Sequence, residues 1–135
     1  MTARRSLRFG AWLFTLVAGI GIGTAIGQQS PPKDNKGLAA KVVSTVDLAP
    51  DMPGYQLRLR TITLEPAGVV GVHSHKDRPE FAYILEGTLT ELRESGSMKQ
   101  FNTGDVITGS RDVTHWAENR GTSIVVFVGV DIVKP

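Results

Sequence analysis

Cysteine is absent from this 135-residue chain, which excludes disulfides, Cys-based zinc sites, thiol nucleophiles and a lipidated N-terminal cysteine. No acidic residue occurs before Asp34. From Tyr55 onward helical periodicity is lacking too, since no apolar pattern there recurs at three- to four-residue spacing for longer than two turns. The excess of base over acid comes from Arg4, Arg5 and Arg8. Without the first 27 residues, 12 basic groups (15 minus 3) face 13 acidic ones, a net charge of minus one. Phosphate recognition needs a clustered basic face, so nucleic acid is not an expected partner. Histidine is scarce, with only His73, His75 and His115, and the functional reading turns on where those three lie. The apolar fraction of 41% suffices for the core of one domain.

Residues 1–27 open with the positive segment Arg4-Arg5-Ser6-Leu7-Arg8 and continue uncharged and mostly apolar from Phe9 to Ile26. That is the anatomy of an export signal, with Ala25-Ile26-Gly27 as a small-x-small cleavage site. The Arg4-Arg5 pair resembles a twin-arginine signal, so the expected location is the periplasm. The alternative is an uncleaved membrane anchor, the only membrane contact the sequence offers. Residues 28–40 begin with the polar, proline-containing run QQSPPKDNKG and read as a flexible linker. The folded domain is expected over residues 41–135.

That domain has an all-β pattern, in which short β-branched runs alternate with turn signals at roughly ten-residue intervals. Strands are predicted at 55–64, 69–73, 80–86, 88–93, 99–102, 105–108, 114–119 and 123–132, with Leu38 to Leu48 as a first edge strand. The intervening stretches, such as Glu65-Pro66-Ala67-Gly68 and Asp77-Arg78-Pro79, hold the glycine, proline or aspartate that turns require. Closing such strands into a barrel removes exposed edges and leaves room for a small ligand.

His73 and His75 are two residues apart, so on a strand their rings share a face with Cα atoms about 6.8 Å apart. Glu80 follows a tight connection and can return its carboxylate to the pair, while His115 opens a later strand. Together His73, His75, Glu80 and His115 make a candidate site for one divalent metal ion. Beyond Glu80, alternation puts Ala82 and Ile84 on the carboxylate's face and Phe81, Tyr83 and Leu85 on the other. Arg58 and Arg60 share one strand face: if interior, they can hold a substrate carboxylate, and if exterior they are merely solvated. Arg78, in the turn between ligands, is a further candidate for the mouth of the site. Trp116 is expected to point away from His115, toward barrel packing or a subunit contact. Phe81, Tyr83, Leu85 and Trp116 together predict an outward apolar surface and a homodimer.

Residues 68–87 resemble the first motif of the cupin superfamily through Gly68, His73, His75, Glu80 and Gly87, and residues 104–119 resemble the second through Gly104, His115 and Asn119. Ser110 stands where proline is usual and Asp112 where glycine is usual. The short spacing between the motifs is similar to that of compact single-domain, quercetin dioxygenase-like cupins. The resemblance implies a single jelly-roll (double-stranded β-helix) barrel. It also implies a metal-dependent, dioxygenase-like enzyme acting on a small organic substrate, with Glu80 as ligand and candidate catalytic base. The mixed nitrogen and oxygen donor set favours iron or manganese, with nickel, zinc and copper as other candidates. Two alternatives use the same ligands: a redox-neutral isomerase or lyase, and a non-catalytic extracytoplasmic module that binds a small ligand or metal.

Overall fold

Eight strands and no helix make up residues 30–135, the part of the chain that the computed structural model describes. The expected export segment lies outside the described residues. The strands are β1 (Lys36–Asp47), β2 (Gln56–Ser74), β3 (Glu80–Glu86), β4 (Thr88–Arg93), β5 (Met98–Asn102), β6 (Val106–Gly109), β7 (Thr114–Glu118) and β8 (Val125–Val133). They hydrogen-bond in the order β5-β4-β7-β2-β8-β3-β6, with β1 added along β2. Every pairing is antiparallel. The path curls into a nearly closed barrel, so the sequence pattern and the observed fold class agree.

β2 joins the two halves of the barrel. Its first part, from Gln56 to Leu64, pairs with β1 and β8, and its last part, from Val69 to Ser74, pairs with β7. Two separate strands with a turn at Glu65–Gly68 were predicted, whereas the chain continues through a kink. Ala67 takes a φ of 56° there, and a Cβ on Gly68 would lie 2.6 Å from the Glu65 carbonyl oxygen, so only glycine fits the second position. Asn119, 1% exposed, clamps the kink. Its side-chain amide donates to the carbonyls of Leu64, Glu65 and Ser123, and its carbonyl oxygen accepts from the Gly121 N–H. Backbone bonds between Asn119 and Ala67 and Gly68 close the same corner.

Inward positions alternate along each strand, and the register stacks them into rows. From one end of the barrel, these rows are Leu64–Val125, Ile62–Phe127–Ile84, Arg60–Gly129–Ala82 and Arg58–Asp131–Glu80, crossing β2, β8 and, in the last three, β3. The first two rows join Leu89, Phe101, Ile107 and Ala117 in the hydrophobic core. The last two bring charged side chains to the open end. Arg58 and Arg60 therefore sit inside the barrel, not on a solvated face.

The stretch expected to be a tether is ordered at its C-terminal end. β1 starts at Lys36, inside the expected linker, and the residues before it dock on β2. The Val72 N–H donates to the Pro32 carbonyl (2.7 Å), and the Gly71 N–H donates to Asn35 Oδ1 (2.9 Å). The physical reason lies in the β2–β7 pairing, which shifts register between Val70 and His73. The backbone groups released by that shift need partners, and the strap from Pro32 to Asn35 supplies them. Gly71 makes the close approach possible, because a Cβ there would lie 2.6 Å from the Lys33 carbonyl oxygen.

Candidate metal centre and its cavity

The three histidines come together at the open end of the barrel. His73 faces His115 directly across the β2–β7 ladder, and His75 follows the end of β2, where its N–H donates to the Val113 carbonyl. The Nε2 atoms of His75 and His115 are 2.9 Å apart, and those of His115 and His73 are 3.2 Å apart. Their rings meet edge-on, at interplanar angles of 62–74°. Metal–nitrogen bonds of about 2.1 Å meeting at a right angle put two nitrogens about 3.0 Å apart, so the spacing suits one ion.

The far side of each ring fixes which nitrogen is free. His73 Nδ1 is 2.8 Å from the Gly71 carbonyl oxygen, His75 Nδ1 is 3.0 Å from the Arg78 carbonyl oxygen, and His115 Nδ1 is 2.5 Å from Glu91 Oε1. Carbonyls and carboxylates only accept, so each Nδ1 carries the proton and each Nε2 presents a lone pair. With His115 Nε2 lying 2.9 Å and 3.2 Å from the other two, these lone pairs repel one another unless a cation lies among them. An outer acceptor on each ring is also the usual support of a metal-bound imidazole. Burial lowers the His73 pKa to about 4, outweighing its bond to Gly71, with the neighbouring histidines adding to the shift. Burial also lowers that of His75. Both rings are therefore neutral, as ligands must be, in neutral solution. The three histidines can hold a metal ion.

Glu80 stands beside this trio rather than in it. Its Oε1 accepts from Arg60 Nη2 at 2.9 Å, and its Oε2 lies 4.0 Å from His75 Nδ1 and 3.8 Å from Arg78 Nη1. Among the described residues, the cluster of donor atoms all within 4.8 Å of one another is that of the three histidines. The cause is the register, which places Glu80 next to Asp131 and one row from Arg60. Gly129 leaves the space, since a Cβ there would lie 2.5 Å from Glu80 Oε1.

Arg58, Arg60 and Arg78 converge on Asp131, whose side chain is fully buried. Arg58 grips it through two bonds (Nε–Oδ1 3.0 Å, Nη2–Oδ2 2.8 Å), while Arg60 Nη2 and Arg78 Nη1 each reach Oδ2 at 3.1 Å. Burial alone would raise the Asp131 pKa, but the Arg58 bond and the three positive charges outweigh it and hold the carboxyl below its usual range. Arg60 Nε is buried without a hydrogen-bond partner. Trp116 lies on the face of β7 opposite His115, as alternation requires. It is 5% exposed and donates through Nε1 to Glu118, so it packs the barrel wall and drops out of the expected outward apolar surface. Phe81, Tyr83 and Leu85 are exposed as expected.

Two contributors were not read from the sequence. Glu91 is 4% exposed and bridges His115 and Arg93. Burial pushes its pKa up, but the bonds from His115 and Arg93 outweigh that and keep it below the usual value. Gly109 lies against the His75 ring, where a Cβ would come within 2.5 Å of Nδ1. The signal for Glu91 was its two-residue spacing from Leu89, which puts an acid on an apolar strand face. Gly109 had no sequence signal beyond being a glycine. A cavity of about 360 Å³ opens over the trio, lined by the histidines, Arg60, Arg78 and Glu80 on one side and by apolar core side chains on the other. Lys33 and Asn35 of the N-terminal strap also line it.

An all-β barrel whose three inward histidines converge beside an open cavity defines a class of protein with a site that can hold a metal ion. Residues 60–133 match the cupin domain family, and the chain belongs to that family. No curated protein matches the sequence. Solved structures resemble it in fold. An uncharacterised conserved protein with a double-stranded β-helix domain from Klebsiella pneumoniae superimposes with a TM-score of 0.59 at 17% identity, covering 75% of this chain and 81% of that one. The polyketide cyclase RemF from Streptomyces resistomycificus gives 0.58 at 19% identity, covering 75% and 68%. The cupin domain of an XRE family transcriptional regulator from Enterobacter cloacae gives 0.55 at 13% identity, covering 71% and 96%. Such identities carry the fold alone, and the set spans an enzyme and a regulator's domain.

Proposed function

We propose that this protein is a divalent-metal enzyme acting on a small organic molecule in the cavity, with dioxygenase-like chemistry. One observation carries the reading: three Nε2 lone pairs converge while every Nδ1 is held by an acceptor. Three protein ligands leave positions open for substrate, as catalytic sites do and closed structural sites do not. The ion would supply Lewis acidity or redox chemistry at those positions. Around it, Glu80 offers a carboxylate that can take a proton at Oε2, and apolar side chains line part of the cavity. With Glu80 engaged by Arg60, the donors are all imidazole. That set suits iron, zinc, nickel or copper better than manganese, and iron fits the oxygen chemistry. A redox-neutral isomerase or lyase uses the same groups, and strict oxygen dependence of turnover separates the two.

The test is metal analysis of protein purified from its own export route, followed by oxygen-uptake assays on enediol and phenolic substrates. One ion per chain, lost in His115→Ala, with oxygen consumed on at least one substrate supports the reading. Retention of the ion in His115→Ala breaks the metal site. A non-catalytic binding module is the second reading, favoured by the tying of Glu80, the acid nearest the trio, to Arg60. Turnover by the metal-loaded protein rejects it.

We also propose that the protein is exported to the periplasm, on the strength of Arg4-Arg5 and the apolar segment after them, and that it works as a homodimer. The outer faces of β1, β2, β8, β3 and β6 form one surface. Its central rows, Leu59–Val130–Phe81–Thr108 and Thr61–Val128–Tyr83–Val106, contain no charge. Four strands seven residues long and the four-residue β6, about 4.8 Å apart, give about 500 Å² per protomer, or about 1,000 Å² for two. That is just enough for a specific interface. The rows across β2, β8, β3 and β6 are uncharged, with Lys41 of β1 at their edge, and such a face is self-complementary across a two-fold axis, which favours a second copy as its occupant. Sedimentation at micromolar concentration should give a dimer that Phe81→Glu converts to monomer, and a monomeric wild type would refute it.

A further inference from the structure

The charged end of the barrel holds more cation than its acids neutralise. Arg58, Arg60 and Arg78 face Asp131 and Glu80, three positive charges against two negative. Lys33, a fourth basic residue, is also among those lining the cavity. The surplus is located as well as counted. Arg58 spends its fork on Asp131, whereas Arg60 donates to both acids through Nη2 alone and keeps a buried Nε–H that meets no acceptor. The Nη1 donors of Arg60, which are not buried and meet no acceptor among the described residues, are the ones free for an incoming oxygen. Across the cavity the lining is apolar, with Ile62, Val70, Leu89, Ile107 and Phe127.

We infer that the cavity takes a small organic anion, a carboxylate with an apolar body, whose oxygens are received by Arg60 and attracted by Lys33 at the mouth. The inference rests on the proposed small-molecule reading and names its substrate class. The anion site is formed by the protein and exists without the metal. Arg60 is a binding residue in this scheme, and the strap from Pro32 to Asn35 is part of the pocket because its hydrogen bonds to Gly71 and Val72 hold Lys33 there.

The experiment titrates benzoate, with benzyl alcohol as the uncharged control, into the full chain both stripped of metal and loaded with zinc. Binding is read by calorimetry and by the NMR signal of the Arg60 Nε–H. Benzoate should bind at least tenfold more tightly than benzyl alcohol and shift the Arg60 signal in the metal-free protein. Lys33→Gln, at an exposed position that the fold does not depend on, should weaken benzoate severalfold and leave benzyl alcohol unchanged. Arg60→Lys, checked for folding by its amide spectrum, should weaken it further. Equal affinity for the two probes, absence of benzoate binding, or an unmoved Arg60 signal would overturn the inference. Benzoate binding seen only with zinc and without an Arg60 shift would also overturn it, while leaving the metal reading intact. Failure of zinc to bind, with benzoate recognition unchanged, would sink the metal reading and support the anion site.

Discussion

Glu91 is the side chain on which the metal reading is most exposed to test. It is buried, and its Oε1 lies 2.5 Å from His115 Nδ1. Glu91→Gln keeps the shape and one acceptor oxygen but removes the charge. A hydrogen bond to a charged group contributes about 1.5–3 kcal/mol, against about 1 kcal/mol for a neutral pair. The substitution should therefore cost about 1–2 kcal/mol of His115 orientation and basicity, a factor of about 10 in ion affinity. Arg93, which reaches the same carboxylate at 3.2 Å, is largely exposed and finds water instead. The assay is zinc titration at pH 7 against a chromophoric competitor, with urea unfolding of the metal-free proteins as a control for general damage. Wild-type zinc affinity in Glu91→Gln, within a factor of two, would refute the claim that this acid orients a ligand. A loss as complete as that of His115→Ala would refute it from the other side, because one softened hydrogen bond cannot remove a ligand.

Gly109→Ala should fold and yet bind zinc at least tenfold more weakly, because its methyl group would meet the His75 ring at 2.5 Å and force it off the Arg78 carbonyl; unchanged affinity would show that the ring is not held there. Asn119→Ala should lower the stability of the metal-free protein by about 2–3 kcal/mol in urea unfolding, through buried carbonyls left without donors at the β2 kink, and a loss below 0.5 kcal/mol (roughly the effect of a surface substitution) would contradict that role. The His73 pKa of about 4 lies below its unfolded value of 6.5, so the folded protein holds fewer protons between those limits. Its contribution is fully present above pH 6.5 and is lost as pH falls toward 4, by about 3 kcal/mol at most. In metal-free protein, the urea stability of wild type should therefore fall relative to that of His73→Asn on acidification from pH 6.5 to 4, and a constant difference would count against a buried neutral ring.

Much of this architecture was legible because it depends on a period of two. The alternation that separates Glu80, Ala82 and Ile84 from Phe81, Tyr83 and Leu85 is visible in the chain, and the barrel obeys it. The same holds for the spacing of His73 and His75, and for the turns that isolate β3 to β8. Legibility ended where a residue's role depends on a strand distant in sequence. Arg58 and Arg60 look like a solvated face until the β2–β8 register sets Asp131 opposite Arg58. Glu80 looks like a ligand until that register sets Arg60 within reach. The linker reading failed for a related reason, since the partners of Pro32 and Asn35 are backbone groups freed by an irregularity in another strand pair. Composition describes what a segment can bury, but not which unpaired N–H it will meet.

Glu80 now stands between two claims. To reach an ion among the Nε2 atoms it must leave Arg60, and Arg60 already has one buried donor unpartnered, so the move adds a second unmet donor in a site poor in water. A carboxylate arriving at Arg60 reverses that balance: it supplies the acceptor that Glu80 withdraws and so lowers the cost of turning Glu80 toward the ion. Anion and metal should then bind with positive coupling, and linkage requires the effect to be mutual. Benzoate should tighten zinc binding by the same factor that zinc tightens benzoate binding. Simple attraction between anion and cation gives coupling too, but only the exchange at Arg60 makes it depend on Glu80. In Glu80→Gln, the coupling should shrink to the part that charge attraction alone provides. Equal coupling in wild type and Glu80→Gln would mean that Glu80 stays with Arg60 throughout, and that the ion is held by the three histidines without it.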